Sequence, residues 1–126
     1  MNSVIIDTNG FLRLFLNDIP NQADQVEECI KKAKKEHIKI IVPVIILFEI
    51  NFILSKYYNI EKKEIIEKLK SLISAPYFLI ESRDVFSKAL VIYENTNISF
   101  VDAFLLSKGE IEKAEIFTFD KKLKKS

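Results

Sequence analysis

The stretch VIIDTNGFLRLF, residues 4–15, decides the fold. Val4, Ile5 and Ile6 form a short β-branched run, which predicts a central strand. Asp7 stands where that run ends. Phe11–Leu16 is apolar apart from Arg13 and suits a short buried helix. A strand that runs directly into a helix is the opening of a βαβ unit.

The same grammar continues along the chain. Asn17-Asp18-Ile19-Pro20-Asn21 has turn chemistry. Ala23, Val26, Cys29, Ile30 and Ala33 recur at helical spacing until about Lys35. Ile38–Val42 is a second β-branched run, closed by Pro43. From Val44 to Tyr58 the pattern is apolar on nearly all sides, as in a buried helix. Glu61–Ser74 is amphipathic, with Ile65, Ile66, Leu69, Leu72 and Ile73 on one face and paired charges on the other. Tyr77–Ile80 reads as a third strand. Val85, Phe86, Ala89, Leu90 and Tyr93 mark another helix, and Phe100–Ser107 a further one with Gly109 as its stop. Ile116–Phe119 reads as a fourth strand that ends in Asp120. Strands alternating with helices predict one α/β domain over residues 1–126, a parallel sheet with helices on both faces.

Bulk composition narrows the function. The chain has 126 residues, 48% hydrophobic and 29% charged, with a net charge of +1. That suits a single core and offers no global basic field for nucleic acid. The first apolar run is too short for a signal peptide. The longest, Ile40–Ile50, is broken by Pro43 and Glu49 and is too short to span a bilayer, which needs about 20 apolar residues. One cysteine, Cys29, allows no internal disulfide, so a reducing cytoplasm is expected. With two glycines the chain has no Gly-rich phosphate loop. His37, the single histidine, reads as a turn residue before the second strand, and no His/Cys zinc pattern exists.

In open parallel sheets, ligands bind beyond the carboxyl ends of the strands. Four acids belong to that region: Asp7, Asp120, Asp102 in the first turn of ISFVDAFLL, and Glu49 within VIILFEINFIL. Each has an ordinary explanation. Asp7 and Asp120 suit helix caps, and Ser99-Phe100-Val101-Asp102 fits a capping box. Glu49 is the exception. On a helix with little polar face, an unpartnered carboxylate costs several kcal/mol and needs a cation or a hydrogen-bond network. Taken together, the acids suit a hard divalent cation, Mg²⁺ or Mn²⁺. Without a histidine base or a cysteine nucleophile, metal-activated water and phosphodiester hydrolysis are the expected chemistry.

Four segments in order, VIIDTNGFLRLFLND, IVPVIILFEINFIL, ISFVDAFLLSKG and IFTFDKKL, resemble the PIN domain, and within it the VapC-like toxins of type II toxin–antitoxin pairs. The resemblance implies an RNase H-like, three-layer α/β/α fold with a parallel sheet of four strands, or five if a strand follows the last segment. It implies a Mg²⁺- or Mn²⁺-dependent ribonuclease. Asp7 and Asp102 would be direct ligands, while Glu49 and Asp120 would act through water or hold a second ion. Thr8 and Asn9 would orient Asp7, and Thr118 would support Asp120 from the same face of its strand. Arg13, Lys121, Lys122 and Lys124 would contact RNA phosphates. A homodimer and a cognate antitoxin, seated in an apolar groove, are the implied partners. Two alternatives from other classes are a PIN-like module that binds RNA or protein without cutting, and a phosphate-accepting receiver domain. The receiver lacks its acidic pair after strand one and its late lysine.

Overall fold

The computed structural model describes residues 2–124. The chain divides into two compact units, Met1–Glu81 and Ser82–Ser126, which are described in turn.

The first unit contains β1 (Asn2–Ile5), α1 (Thr8–Leu16), α2 (Pro20–Lys34), β2 (Ile38–Val42), α3 (Val44–Lys56), α4 (Lys62–Ser74) and β3 (Phe78–Ile80). The strands are parallel in the order β1-β2-β3, with Ile5 opposite Ile41 and Ile41 opposite Leu79. Parallel crossovers are right-handed as a rule, so two successive ones in the same direction place their helices on the same face. Burial follows. Ile40, Val42, Phe78 and Ile80, alternate residues that share a face, are buried, whereas Ile5 and Leu79 on the other face are exposed. Phe11 of α1 meets the Phe78 ring edge-on at 5.8 Å and is fully buried. Leu47, Ile50 and Leu54 of α3 and Leu69 of α4 complete this core.

Three features differ from the sequence reading. The first strand is Asn2–Ile5 and lies at the sheet edge, because β2 is the strand that pairs on both sides. The helix after it begins at Thr8 rather than Phe11, since Asp7 caps it. And α3 is not buried all round. Ile45, Glu49 and Phe52 form an i, i+4, i+7 stripe on its exposed side, opposite Ile46, Leu47 and Ile50.

The second unit contains α5 (Arg83–Asn95), α6 (Phe100–Glu112) and a short α7 (Lys121–Lys124). Its core is aromatic. The Phe86 ring lies 5.8 Å from Phe100 and 4.8 Å from Phe104, and Tyr93 lies 5.2 Å from Phe100. The buried Ser107 hydroxyl donates to the Val85 carbonyl at 2.7 Å, tying α6 to the start of α5.

Gly109 does not end α6. The helix runs to Glu112 and stops at Lys113, which takes the left-handed conformation (φ 54°). Gly109 stands instead at a close approach. A Cβ there would lie 3.0 Å from the Ala114 carbonyl oxygen and 3.2 Å from the Ile116 side chain, where the chain folds back on the helix. Residues 114–119 form no strand, so the sheet has three described strands, not four or five. The second unit contains no described strand, so this run has nothing within that unit with which to form a ladder.

Candidate active site

In the first unit the candidate residues gather where β1 gives way to α1. Asp7 has extended backbone (φ −73°, ψ 174°), and its Oδ1 accepts the Gly10 N–H at 2.9 Å. The cap engages one oxygen of an exposed carboxylate that has about four acceptor sites. Gly10 serves a different close approach: a Cβ on it would sit 2.5 Å from Ile6 Cγ2 but 3.5 Å, an ordinary contact, from Asp7 Oδ1.

Thr8 turns inward and is buried. Its hydroxyl donates to Glu49 Oε1 at 2.9 Å, across 41 positions of sequence. Glu49 is exposed rather than buried. Solvent therefore compensates its charge without a cation. What singles it out is geometry: Thr8, the residue that follows Asp7, orients it. Asn9 is exposed in the first turn of α1. Arg13 is committed within the protein. Its Nη1 pairs with Asp18 at 3.3 Å, its Nη2 donates to the Tyr58 hydroxyl at 3.4 Å, and its Nε is enclosed without a partner.

Sequence reasoning missed one acid in this unit. Glu81 follows β3, and its Oε1 accepts the Val44 N–H at 2.9 Å. It thus caps α3, whose own N-cap residue, Pro43, provides no side-chain bond. The absence of a Ser, Thr, Asp or Asn before Val44 was the available signal.

In the second unit, Asp102 is half-buried in the first turn of α6, and its backbone N–H donates to Ser99 Oγ at 3.1 Å. Asp120 is exposed and does not end a strand. Its Oδ1 accepts from Lys122 N at 2.8 Å, and its own N–H donates to Thr118 Oγ1 at 3.0 Å. Thr118 therefore supports Asp120 through a local turn, not from a shared strand face. Lys121, Lys122 and Lys124 are exposed on α7, with Lys124 Nζ 5.8 Å from the Phe119 ring centre.

The donors in both units are hard oxygens, which fit Mg²⁺ or Mn²⁺ and not a soft metal. In the first unit, Asp7 and Glu49 each have one oxygen held by a protein donor, as outer partners orient ligands at metal sites. Within neither unit do three His, Cys, Asp or Glu side chains gather to hold a metal, among the described residues. No helix among them is long and apolar enough to cross a membrane.

Compared with known families, residues 4–126 match the model of the PIN domain, a span that includes all four candidate acids. The chain belongs to the PIN domain family, whose members are generally metal-dependent nucleases, so a hydrolase of that broad class is indicated. No curated protein matches it.

Proposed function

We propose that this protein is a metal-dependent endoribonuclease, the toxin of a type II toxin–antitoxin pair, acting in the cytoplasm. The observation that carries the reading is Asp7: a carboxylate that follows β1, with one oxygen held by the Gly10 N–H, and whose neighbour in sequence, Thr8, holds Glu49. The family match over residues 4–126 supports it. Asp7, Glu49, Asp102 and Asp120 would hold Mg²⁺ or Mn²⁺. When bound, such an ion supplies an activated water and neutralises charge on the phosphodiester. The chain's own residues orient the acids. Gly10 fixes one Asp7 oxygen, Thr8 fixes one of Glu49, and Asn9 reaches solvent beside them. Lys121 and Lys122 on α7 contact RNA phosphates in this reading. A homodimer and a cognate antitoxin are its partners.

The test is cleavage of single-stranded RNA by the purified protein, with Mg²⁺ or Mn²⁺ and with EDTA. Cleavage that requires the ion is the expected result. A folded protein that binds RNA and never cuts it, with either ion, would overturn the reading in favour of a binding module.

A further inference from the structure

Beside Asp7, within the first unit, a cavity of about 340 Å³ opens between α1 and α2. Its deeper wall is apolar or weakly polar, formed by Ile6, Val26 and Cys29, which are buried or half-buried. Its rim is formed by exposed amides, Asn9 from α1 and Gln22 and Gln25 from α2. Gln22 and Gln25 are three residues apart on a helix and so share one face. Arg13 also lines the cavity, but its terminal nitrogens are already engaged by Asp18 and Tyr58. Apart from the Asp7 carboxylate, which also lines it, the cavity thus offers paired donors and acceptors rather than an uncommitted positive charge. That chemistry disfavours a phosphate, which the neighbouring Asp7 carboxylate also repels. It favours a flat, neutral group with a polar edge.

We infer that this cavity seats one unpaired nucleobase of an RNA substrate. Gln22, Gln25 and Asn9 read its hydrogen-bonding edge, and Ile6 and Val26 lie against the ring. Amide side chains match the adjacent donor and acceptor groups of base edges, and unstacked bases are what proteins read in single-stranded RNA. The inference deepens the ribonuclease reading and rests on it. It makes the α1–α2 cavity, not the acids, the source of base preference.

The chain's one cysteine provides the test, because Cys29 lies in the cavity wall. Its alkylation rate reports occupancy whether or not RNA is cut. The probes are short 2′-O-methyl homopolymers of each base and an abasic oligomer with the same backbone. Protection of Cys29 by at least one base should exceed that by the abasic oligomer by about tenfold, the scale of a good amide–base pair. The double substitution Gln22→Ala/Gln25→Ala, at two exposed positions, should erase the differences between bases while leaving the thermal transition unchanged. Equal protection by the abasic oligomer and all four bases would overturn the inference, as would base differences that survive the double substitution. If EDTA-sensitive cleavage is present without base-selective protection, the cavity assignment alone fails. If base-selective protection occurs without any cleavage, the cavity assignment stands and the ribonuclease reading fails.

Discussion

Two apolar runs in this chain end in aspartate, and they end differently. VIID closes β1, which pairs in register with β2. IFTFD, residues 116–120, is also rich in β-formers, yet it forms no strand in a unit whose described elements are all helices. The local chemistry at the two aspartates is almost the same, since each carboxylate accepts a backbone N–H two or three residues ahead. The support beneath them is not. Asp7 caps a nine-residue helix whose Phe11 and Leu12 are 0% and 2% exposed, whereas Asp120 precedes a single turn that buries only Leu123. Strand propensity describes fitness for a pleated surface, and a partner must be present to use it. The same cap is a rigid mount in one region and a local turn in the other.

The largest effect should come from removing the charge at the rigid mount. Asp7→Asn keeps the cap, since asparagine caps as well as aspartate. The melting temperature should therefore stay put while RNA cleavage is abolished. Asp120→Asn should leave more residual activity, as its carboxylate is held only by the turn. Cleavage assays on both proteins would break the comparison if the two losses were equal, and undiminished cleavage by pure Asp7→Asn would remove Asp7 from the site.

Next in size is the core of the helical unit. Phe86 is fully buried and touches the rings of Phe100 and Phe104. Phe86→Ala should cost about 3–5 kcal/mol in urea denaturation, the usual range for a buried phenylalanine. A loss under about 1 kcal/mol would mean that the aromatic cluster is loosely packed. Gly10→Ala should cost less. Its new methyl would lie 2.5 Å from Ile6 Cγ2, and overpacking of this kind costs about 1–3 kcal/mol. The better helix propensity of alanine returns about 1 kcal/mol. Alanine keeps the backbone N–H that Asp7 accepts, so cleavage should fall only as far as the clash with Ile6 shifts the backbone, and a stable, fully active Gly10→Ala would show that the close approach to Ile6 is not required.

Much of this was legible in the sequence, for reasons that can be traced to particular residues. β2 and β3 were found because Ile38–Val42 and Tyr77–Ile80 are short apolar runs bounded by proline or turn residues. α4 was found because Ile65, Ile66, Leu69, Leu72 and Ile73 keep one period. The misreadings share a different cause, since each depends on what lies across space. Whether Ile116–Phe119 becomes a strand depends on a neighbour. Whether Gly109 ends a helix depends on the chain returning at Ala114 and Ile116. Glu49 looked buried because its sequence neighbours are apolar, but a helix separates neighbours by 100° and left it on the outer stripe with Ile45 and Phe52. The Thr8–Glu49 bond joins residues 41 apart and leaves no local trace.

The smallest predicted effect concerns the acid whose ordinary explanation is strongest. Asp102 fits a capping box, and one half of that box is present: its N–H donates to Ser99 Oγ at 3.1 Å, while the second half would need the Asp102 carboxylate to reach back to the Ser99 N–H. The two roles make separable demands. Capping depends on the Ser99 hydroxyl, whereas metal binding depends on the Asp102 carboxylate. Ser99→Ala should therefore lower stability by about 1 kcal/mol, the usual cost of a lost cap, and leave the ion requirement of cleavage unchanged. Asp102→Asn keeps the backbone donor to Ser99, so stability should hold while cleavage and its Mg²⁺ or Mn²⁺ dependence suffer. Thermal melts and metal titrations of both variants measure the two demands independently. If Ser99→Ala shifted the metal titration as far as Asp102→Asn does, the carboxylate would be acting through the cap, and Asp102 would join Asp120 as an acid whose position is only as firm as its turn.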